Sequence, residues 1–345
     1  MERISIIGAG SWGTALALLL DKIGHEVTIW SIIEEEINML NEFREHRDKL
    51  PGISIPERIK MTNDLEEAIK NKSILVMAVP SKFVRSTAKE VKKYVKPEQI
   101  IVNVAKGLEE NTLFTLTQVI SDEMPNNSVA ALSGPSHAEE VAKSIPTTCV
   151  VGADKKHIAE KIQDTFMHNT FRVYTSPDTT GIELGGALKN VIALSAGISD
   201  GLGFGDNTKA ALMTRGMAEI SRLGLAMGAS LHTFGGLSGI GDLIVTCTSM
   251  HSRNRRAGIL IGKGYTLDDA IKEVKMVVEG VNTAKAALDL ANKYNIEMPI
   301  IEQVNKVLFN NQNPKEAVVE LMLRDKTKEY KDMSMDWNQI VSWEE

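Results

Sequence analysis

Cysteine is scarce in this sequence, which also lacks a net positive charge and long apolar runs. Cys149 and Cys247 are the only cysteines, and neither has a second cysteine or a histidine cluster nearby, so we predict neither a disulfide framework nor a metal site. No apolar run reaches the length that spans a bilayer. The apolar stretch at residues 16–20 follows a glycine turn rather than a basic leader, so we expect no signal peptide, no membrane insertion and a cytoplasmic protein.

The balance of charge and the length of the chain set further limits. A formal net charge of −6 argues against general affinity for nucleic acid or anionic membranes, because both require a basic face. Any anionic partner must then be held by a local cluster of donors. The 345 residues suffice for two domains that each bury a core. The sequence has no internal repeat or low-complexity tract, which excludes solenoids and long disordered linkers.

Two parts of the chain differ in pattern. In the first, short β-branched runs alternate with helical periods, which is typical of a mostly parallel sheet covered on both faces. In the second, helical periods follow one another. We therefore predict an α/β fold, with a Rossmann-type doubly wound sheet at residues 1–185 and an all-helical second domain at residues 186–345. The expected strands are at residues 4–7, 27–30, 74–79, 100–104, 129–133, 148–152 and 171–174. The main helices expected downstream are at residues 178–200, 208–227, 282–294, 299–309 and 315–323.

Glycines follow the first expected strand at the spacing G-x-G-x-x-G. Gly8, Gly10 and Gly13 lie between that strand and a helical pattern over residues 14–23. In this arrangement the first glycine permits a tight turn, the second lets the backbone approach a pyrophosphate, and the third lets helix and strand pack closely. Free N–H groups at the helix start then bind the phosphates. The pattern predicts a dinucleotide site.

The end of the second strand normally distinguishes NAD from NADP. An acidic residue there binds the ribose 2′-hydroxyl of NAD, and an arginine pairs with the 2′-phosphate of NADP. This chain has Ser31, Ile32 and Ile33 at that point. The sequence therefore leaves the choice between the two cofactors open.

Lys189 lies near the junction of the two parts, in the segment 183–190. One face of a helix here would carry only small side chains, at Gly186, Asn190, Ala193 and Gly197. Something large can approach such a face closely. We expect the chemistry at this lysine and the adjacent carboxamide, where two domains meet. The alternative is a solvent-exposed lysine on a helix that packs tightly against another helix.

Polar residues directly after expected strands are further candidates, because ligands bind at the carboxyl ends of the strands in such sheets. Lys106 can reach an anion from this edge, or it is a solvated loop lysine. In the turn Gly134-Pro135-Ser136, Ser136 either caps the next helix or bonds a ligand. We interpret His137 as a polar loop residue rather than a base.

The helical part contains a carboxylate and a group of donors that also qualify. Asp242 follows a glycine-rich approach to a helix and is either an N-cap or part of the site. Ser252, Arg253 and Asn254 bring hydroxyl, guanidinium and carboxamide donors together. In an acidic protein this cluster favours a small phosphate, because arginine pairs with phosphate oxygens bidentately. The alternative is a charged helix face.

Together these motifs resemble one family, the NAD(P)-dependent glycerol-3-phosphate dehydrogenases of the bacterial type. They follow the family's order across residues 8–280, and the remaining tail matches only loosely. The matching segments are GAGSWGTA at 8–15, LSGPSHA at 132–138, GGALKN at 185–190, GLGFGDN at 201–207, GIGDLIVTC at 239–247, SRN at 252–254 and VEG at 278–280.

The resemblance implies that dihydroxyacetone phosphate is reversibly reduced to sn-glycerol 3-phosphate with NADH or NADPH, supplying glycerophospholipid synthesis. It implies that Lys189 is the acid/base group and that no metal is required. The residues implied in substrate binding are Lys106, Gly134, Ser136, Lys189, Asp242, Ser252, Arg253 and Asn254. Those expected at the cofactor are Gly8, Gly10, Ser11, Trp12, Gly13, Lys106, Ala138, Arg253, Val277 and Glu279. Members of the family often carry a basic residue where Ile33 stands, so a preference for NADPH does not follow.

The implied chemistry agrees with these residue types. Hydride addition to a carbonyl builds negative charge on oxygen, and a lysine ammonium stabilises that charge and then gives up its proton. In the reverse direction the same lysine must be neutral. Burial and the charge of Lys106 would lower the pKa of Lys189, whereas Asp242 would raise it. The sequence does not decide between these effects. Donors near Arg253 would bind the phosphate and orient the reacting carbon.

Two other functions fit parts of the pattern. A hydroxyacid dehydrogenase of similar architecture also places a lysine and an asparagine on the interdomain helix, but its substrate carries a carboxylate, whereas the cluster at Arg253 favours phosphate. A non-enzymatic dinucleotide sensor would use the same fold without needing Lys189. A homodimer is compatible with the helical half, although no segment demands it. The tail from Lys328, which carries Trp337 and Trp343, is left unassigned.

Overall fold

The computed structural model describes residues 1–329 of the chain, so Trp337 and Trp343 of the tail lie outside the described residues. Helices cover an extended sheet in the first part, and only helices and their connections follow it. The strands, in chain order, are β1 (Arg3–Ile7), β2 (Glu26–Trp30), β3 (Glu45–His46), β4 (Leu50–Ser54), β5 (Lys60–Thr62), β6 (Ile74–Met77), β7 (Ile100–Asn103), β8 (Val129–Ser133), β9 (Thr147–Ala153) and β10 (Phe171–Ser176).

The strands of the main sheet have the order β10-β9-β8-β7-β6-β1-β2-β5. All neighbours run parallel except β8 and β9, which are antiparallel. The expected seven strands are all present, whereas β5 and the separate β3–β4 hairpin were not expected. The chain places β2 on one side of β1 and β6 on the other. A crevice therefore opens at the carboxyl ends of β1 and β6, where such sheets bind ligands.

The sheet is covered on both faces by α1 (Ser11–Ile23), α2 (Glu34–Phe43), α3 (Leu65–Ile69), α4 (Val84–Val91), α5 (Leu116–Glu123), α6 (Ala138–Ala142) and α7 (Lys156–Phe166). Alternate residues of β6 show the two faces. Ile74 and Val76 pack in one hydrophobic core, and Leu75 and Met77 pack in another. A strand that is apolar on both sides is typical of a parallel sheet buried between helical layers.

The second part consists of helices and their connections, and its last helix ends at Met322. The helices are α8 (Thr179–Gly201), α9 (Asp206–Ala226), α10 (Leu231–Phe234), α11 (Asp242–Thr248), α12 (Arg253–Gly262), α13 (Leu267–Val274), α14 (Glu279–Tyr294), α15 (Pro299–Phe309) and α16 (Pro314–Met322). A π-helical turn at Leu237–Gly241 leads into α11. The predicted fold class, a Rossmann-type sheet followed by a helical domain, is confirmed. No helix among the described residues is both long and apolar enough to cross a bilayer.

Helix α8 is buried on nearly all sides and forms the centre of the helical core. Its small-residue face is covered by two different neighbours. At Gly197 a Cβ would collide with the backbone carbonyl of Arg255, and a Cβ at Gly258 would collide with the carbonyl of Leu194, so α12 lies directly against α8. At Gly186, by contrast, a Cβ would lie 2.8 Å from Oγ of Ser133 at the end of β8. The large group predicted to approach this face is therefore another part of the protein, namely α12 at Gly197 and the end of β8 at Gly186.

The expected domain boundary between residues 185 and 186 falls inside α8, which begins at Thr179. The helix continues through Gly185 and Gly186 because both pack closely against neighbouring residues: a Cβ at Gly185 would meet the backbone of Ser238. The side chain of Asp178 caps the start of the helix by accepting from Gly181 N at 2.8 Å. We propose that the two domains join at residues 177–178, between β10 and α8.

The contact between α8 and α12 predicts the effect of replacing Gly197 with alanine. The added methyl group meets main chain rather than a movable side chain, so we expect Gly197→Ala to lower the free energy of unfolding by about 1–3 kcal/mol. Gly235→Ala is the matched control, because the nearest atom to its added methyl group, the carbonyl oxygen of His232, lies at 3.7 Å and we expect a change within about 0.5 kcal/mol. Urea unfolding measures both variants. Equal midpoints for the two would contradict this account of the packing.

Candidate active site

Lys189 lies between α8 and α11 and is buried. Its Nζ donates to Oδ1 of Asp242 and, at 2.7 Å, to Oγ1 of Thr246. The lysine is 5% exposed and Asp242 is 0% exposed. Asp242 and Thr246 are four residues apart on α11, so they share a face of that helix. The alternative of a solvent-exposed lysine is wrong.

A second lysine reaches the same carboxylate from the sheet. Nζ of Lys106 donates to Oδ2 of Asp242 at 2.7 Å and to the carbonyl oxygen of Gly134 at 3.0 Å. Asp242 therefore holds one lysine on each oxygen, one from each part of the chain. Interpreting Asp242 as an N-cap is wrong, because Gly241 occupies that position and the Asp242 carboxylate bonds the two lysines instead. Lys106 is likewise not a solvated loop lysine.

Opposing effects of its surroundings set the pKa of Lys189. Burial lowers the pKa of Lys189 to about 7, the charge of Lys106 acts in the same direction, and Asp242 acts in the opposite one. The effect of burial on the pKa of Lys189 is therefore larger than the effect of the ion pair with Asp242. The sequence alone did not decide between these two effects. Near neutral pH the amine can either give or accept a proton.

The three donors at the start of α12 have different roles in the protein. Ser252 caps the helix, its Oγ accepting from Arg255 N at 3.2 Å. Asn254 donates to Oδ1 of Asn190 at 2.9 Å and accepts from Gly280 N at 2.8 Å, so its carboxamide joins α8, α12 and α14 beside Lys189. These bonds fix the two residues in place.

Arg253 differs from its neighbours. It is half-buried and makes no hydrogen bond or ion pair with any side chain of residues 1–329. Burial lowers the pKa of Arg253, while the carboxylates of Glu279 and Glu139 oppose that effect. A guanidinium with its donors unused and little water around it is suited to binding an anion.

The glycine turn has the geometry expected of a pyrophosphate site. Gly8 has φ +120°, and a Cβ there would lie 2.9 Å from the backbone of Ala78 after β6. A Cβ at Gly13 would collide with the carbonyl of Gly8, whereas one at Gly10 would meet nothing within 4 Å. The first helical bond is Thr14 N to Gly10 O at 2.9 Å, so the N–H groups before it point out of the helix start. These residues fit the diphosphate of a dinucleotide.

Glu279 connects the helical part to the sheet. It is the first residue of α14, and its carboxylate accepts from Ser81 N at 3.1 Å and from Ser81 Oγ. Ser81 follows β6, so this contact lies at the same sheet edge as the glycine turn. Val277 is half-buried in the segment before α14, and Ala138 is buried at the start of α6. The cofactor contacts of these residues stay predictions.

Two residues of the turn after β8 have roles that the sequence did not reveal. Ser136 Oγ donates to the carbonyl oxygen of Gly134 at 3.0 Å and does not cap α6. His137 packs with its ring centroid 5.6 Å from that of His251. Burial and the positive charges of Lys189 and Lys106 lower the pKa of His137, which favours its neutral form. Its position beside both lysines was not apparent because they lie far away in sequence.

The residues after β2 contain a buried carboxylate that the sequence analysis missed. Glu36 accepts from Ser31 Oγ, from His46 Nε2 at 3.0 Å and from Lys49 Nζ. Burial opposes ionisation, but these three donors lower the pKa of Glu36 to about 2. Ile33 remains exposed. The sequence analysis missed Glu36 because this residue lies five residues beyond Ser31 rather than at the end of β2.

Comparison with known proteins identifies the family. The amino-terminal model of the NAD-dependent glycerol-3-phosphate dehydrogenases matches residues 3–159, and the carboxyl-terminal model matches residues 178–319. The chain belongs to the NAD-dependent glycerol-3-phosphate dehydrogenase family. The expected family, its oxidoreductase class and its use of NAD or NADP are confirmed.

Individual relatives of the dehydrogenase agree. The glycerol-3-phosphate dehydrogenase (NAD(P)+) of Agathobacter rectalis is 63% identical over 337 residues, which cover 98% of this chain and 100% of the relative. That of Fusobacterium nucleatum is 63% identical over 328 residues, covering 94% of this chain and 98% of the relative. The crystal structure of glycerol-3-phosphate dehydrogenase from Coxiella burnetii is 35% identical with a TM-score of 0.91, covering 94% of this chain and 99% of that one. A D-mandelate dehydrogenase at 12% identity and a TM-score of 0.62 shares the fold alone.

Proposed function

We propose that this dehydrogenase reversibly reduces dihydroxyacetone phosphate to sn-glycerol 3-phosphate, with Lys189 as the acid/base group. The observation that carries the proposal is a buried lysine, held by Asp242 and Thr246, whose pKa is lowered to about 7. A group that transfers a proton near neutral pH works best when its pKa lies close to that pH. When bound, the nicotinamide supplies the hydride in one direction and accepts it in the other.

In the direction of reduction, protonated Lys189 stabilises the charge that builds on the substrate oxygen and then donates a proton from Nζ to that oxygen. Asp242 stabilises the charged lysine before transfer. In the direction of oxidation, neutral Lys189 accepts the proton of the substrate hydroxyl. The paired Lys106 keeps that neutral form accessible, because its positive charge disfavours a second cation nearby.

Arg253 binds the phosphate of the substrate in this proposal. Its guanidinium is half-buried and is not used by the described protein, and it belongs to the helix start that Ser252 caps. Binding energy from a phosphate remote from the reacting carbon orients that carbon toward the reactive groups. The other residues proposed to line the substrate are Lys106, Gly134, Ser136, Asp242, Ser252 and Asn254.

The cofactor is proposed to lie along the carboxyl edge of β1 and β6. Support comes from the open space at Gly10, the close approach of Gly8 to Ala78, and the free helix start at Ser11. The further residues proposed to contact NAD or NADP are Trp12, Gly13, Lys106, Ala138, Arg253, Val277 and Glu279.

The cellular setting is inferred from the same features. We infer a cytoplasmic enzyme that supplies glycerophospholipid synthesis, because glycerol 3-phosphate is a building block of those lipids and both thiols are free and buried. The net charge of −6 supports the absence of nucleic-acid partners. A homodimer stays a prediction.

Replacing Lys189 tests the acid/base role. We expect Lys189→Ala to reduce turnover of dihydroxyacetone phosphate by about a thousandfold, the size of effect typical of general acid/base groups. Cofactor binding, followed by nicotinamide fluorescence, should stay near that of the wild type. Lys293→Ala removes an exposed lysine and should change neither quantity. Loss of turnover together with loss of cofactor binding would count against a specifically catalytic role.

The pKa of Lys189 predicts opposite pH profiles for the two directions. Oxidation of glycerol 3-phosphate needs the neutral amine, so its rate should rise as the pH increases through about 7. Reduction needs the ammonium, so its rate should fall over the same range. Values of kcat/KM from initial rates at low substrate concentration report the enzyme before substrate binds and measure both directions, and samples returned to about pH 7 check that no enzyme has unfolded. A midpoint near the ordinary lysine pKa of about 10 in either direction would refute the assignment.

Arg253→Ala tests the phosphate site. We expect the KM for dihydroxyacetone phosphate to rise roughly 10–100-fold, as for the loss of a charge-assisted hydrogen bond. Turnover of dihydroxyacetone, which lacks the phosphate, should stay near the wild-type rate. Arg256→Ala, three residues along the same helix, removes the same charge and should alter the KM less than about threefold. An unchanged KM in Arg253→Ala removes that residue from the site.

A further inference from the structure

Glu183 is a buried carboxylate that the proposed function does not use. It lies on α8, six residues before Lys189, and is 7% exposed. Its Oε1 accepts from Asn103 Nδ2 at 3.0 Å and from Thr117 N at 2.9 Å, and its Oε2 accepts from Thr117 Oγ1. All three donors belong to the sheet domain. Burial raises the pKa of Glu183 and the hydrogen bonds from Thr117 and Asn103 oppose that effect, so these bonds stabilise a carboxylate that would otherwise be costly to bury.

Asn103 links Glu183 to the turn that carries Lys106. It is the last residue of β7, and its Nδ2 also donates to the carbonyl oxygen of Ala105 at 3.1 Å. Its Oδ1 accepts from Ala105 N at 3.2 Å. One carboxamide therefore binds both the N–H and the carbonyl of the residue next to Lys106, while its amino group holds Glu183. The turn after β7 is fixed to α8 at this point.

The contacts close a ring that contains both lysines. Lys106 extends along α8, since a Cβ at Gly186 would lie 3.6 Å from Cγ of Lys106. Its Nζ then reaches Oδ2 of Asp242, and the other carboxylate oxygen binds Lys189 on the same helix. Helix α8 is therefore linked twice to the segment that starts at Asn103, once through the bond from Asn103 to Glu183 and once through Lys189 and Asp242 to Lys106. The six-residue separation spans about 9 Å of helix.

We propose that Glu183, acting through Asn103, is a positioning residue that holds the Lys106 ammonium against Asp242 beside Lys189. The proposal rests on the acid/base role proposed for Lys189. It assigns to Glu183 no contact with substrate or cofactor. The consequence is that the spacing between the two lysines is set by bonds on the sheet side of α8 as well as by Asp242.

A purely structural role is the competing explanation, because the same carboxylate lies at the start of α5 and could simply join the two domains. The two roles differ in what a mild substitution changes. A structural bond affects the free energy of unfolding alone. A positioning bond also moves Lys106, and with it the binding of substrate and the titration of Lys189, which faces Asp242, Lys106 and His137.

Glu183→Gln is the first test. The Gln oxygen accepts from Asn103 Nδ2 and Thr117 N more weakly than a carboxylate does, and the new NH2 group faces Thr117 Oγ1, which must turn from donor to acceptor, so the hold on Asn103 is weakened. We expect the KM for dihydroxyacetone phosphate to rise roughly tenfold. The pH midpoint for oxidation of glycerol 3-phosphate should move upward by on the order of half a pH unit, because Lys106 no longer lowers the pKa of Lys189 as strongly.

Glu219→Gln is the matched control. Glu219 is 2% exposed and, among residues 1–329, bonds only the backbone N–H groups of Ile300 and Ile301, within the helical domain. Its replacement should reduce stability in urea unfolding while leaving the KM and the pH midpoint at their wild-type values. A matching shift in this control would show that loss of any buried carboxylate produces the effect, and would overturn the proposal.

Asn103→Ala tests the positioning role of Glu183 even if Glu183→Gln does not fold. It removes the bridge to Ala105 while Thr117 still binds Glu183, and we expect the same two shifts as for Glu183→Gln. Unchanged KM and pH midpoint in a folded Asn103→Ala enzyme would overturn the positioning role. That failure is distinct from failure of the proposed function, which would appear as retained turnover in Lys189→Ala.

Discussion

The rest of the site depends on one buried anion, the carboxylate of Asp242. Each of its oxygens binds a lysine, and the two lysines come from different domains. A buried carboxylate without such partners would carry a large desolvation cost. The ion pairs therefore join the domains and fix the amine of Lys189 at the same time. Because burial still dominates over attraction at Lys189, the pair stabilises the amine without locking it in its charged form.

Helix α8 belongs to the helical domain but also contacts the sheet domain, which explains why its sequence is so unusual. Its glycines let α12 approach main chain to main chain at one end and let Ser133 and Lys106 approach at the other. Polar side chains of the helix are correspondingly committed: Glu183 to the sheet, Lys189 to α11 and Asn190 to α12. The close packing of α8 therefore both buries Lys189 and determines which side chains lie next to it.

The parts of the structure that follow from local pattern were predictable, and those that depend on distant contacts were not. Seven of the ten strands in residues 1–329 and the glycine turn follow from short apolar runs and glycine spacing, and these were predicted correctly. Asp242 resembles an N-cap locally, and only its contacts with Lys189 and Lys106, 53 and 136 residues away, show otherwise. The bond between Ser81 and Glu279 spans 198 residues. Strand β4 was missed because it contains Pro51 and Gly52, which normally mark turns.

The unengaged guanidinium of Arg253 makes the two ends of the site unequal. At the reacting end, Lys189 is bound by two side chains, and any change there disturbs the fold around it. At the other end, no side chain of residues 1–329 relies on the Arg253 donors. An enzyme engineer can therefore replace Arg253, the group proposed to bind the phosphate, without disturbing the bonds that hold Lys189.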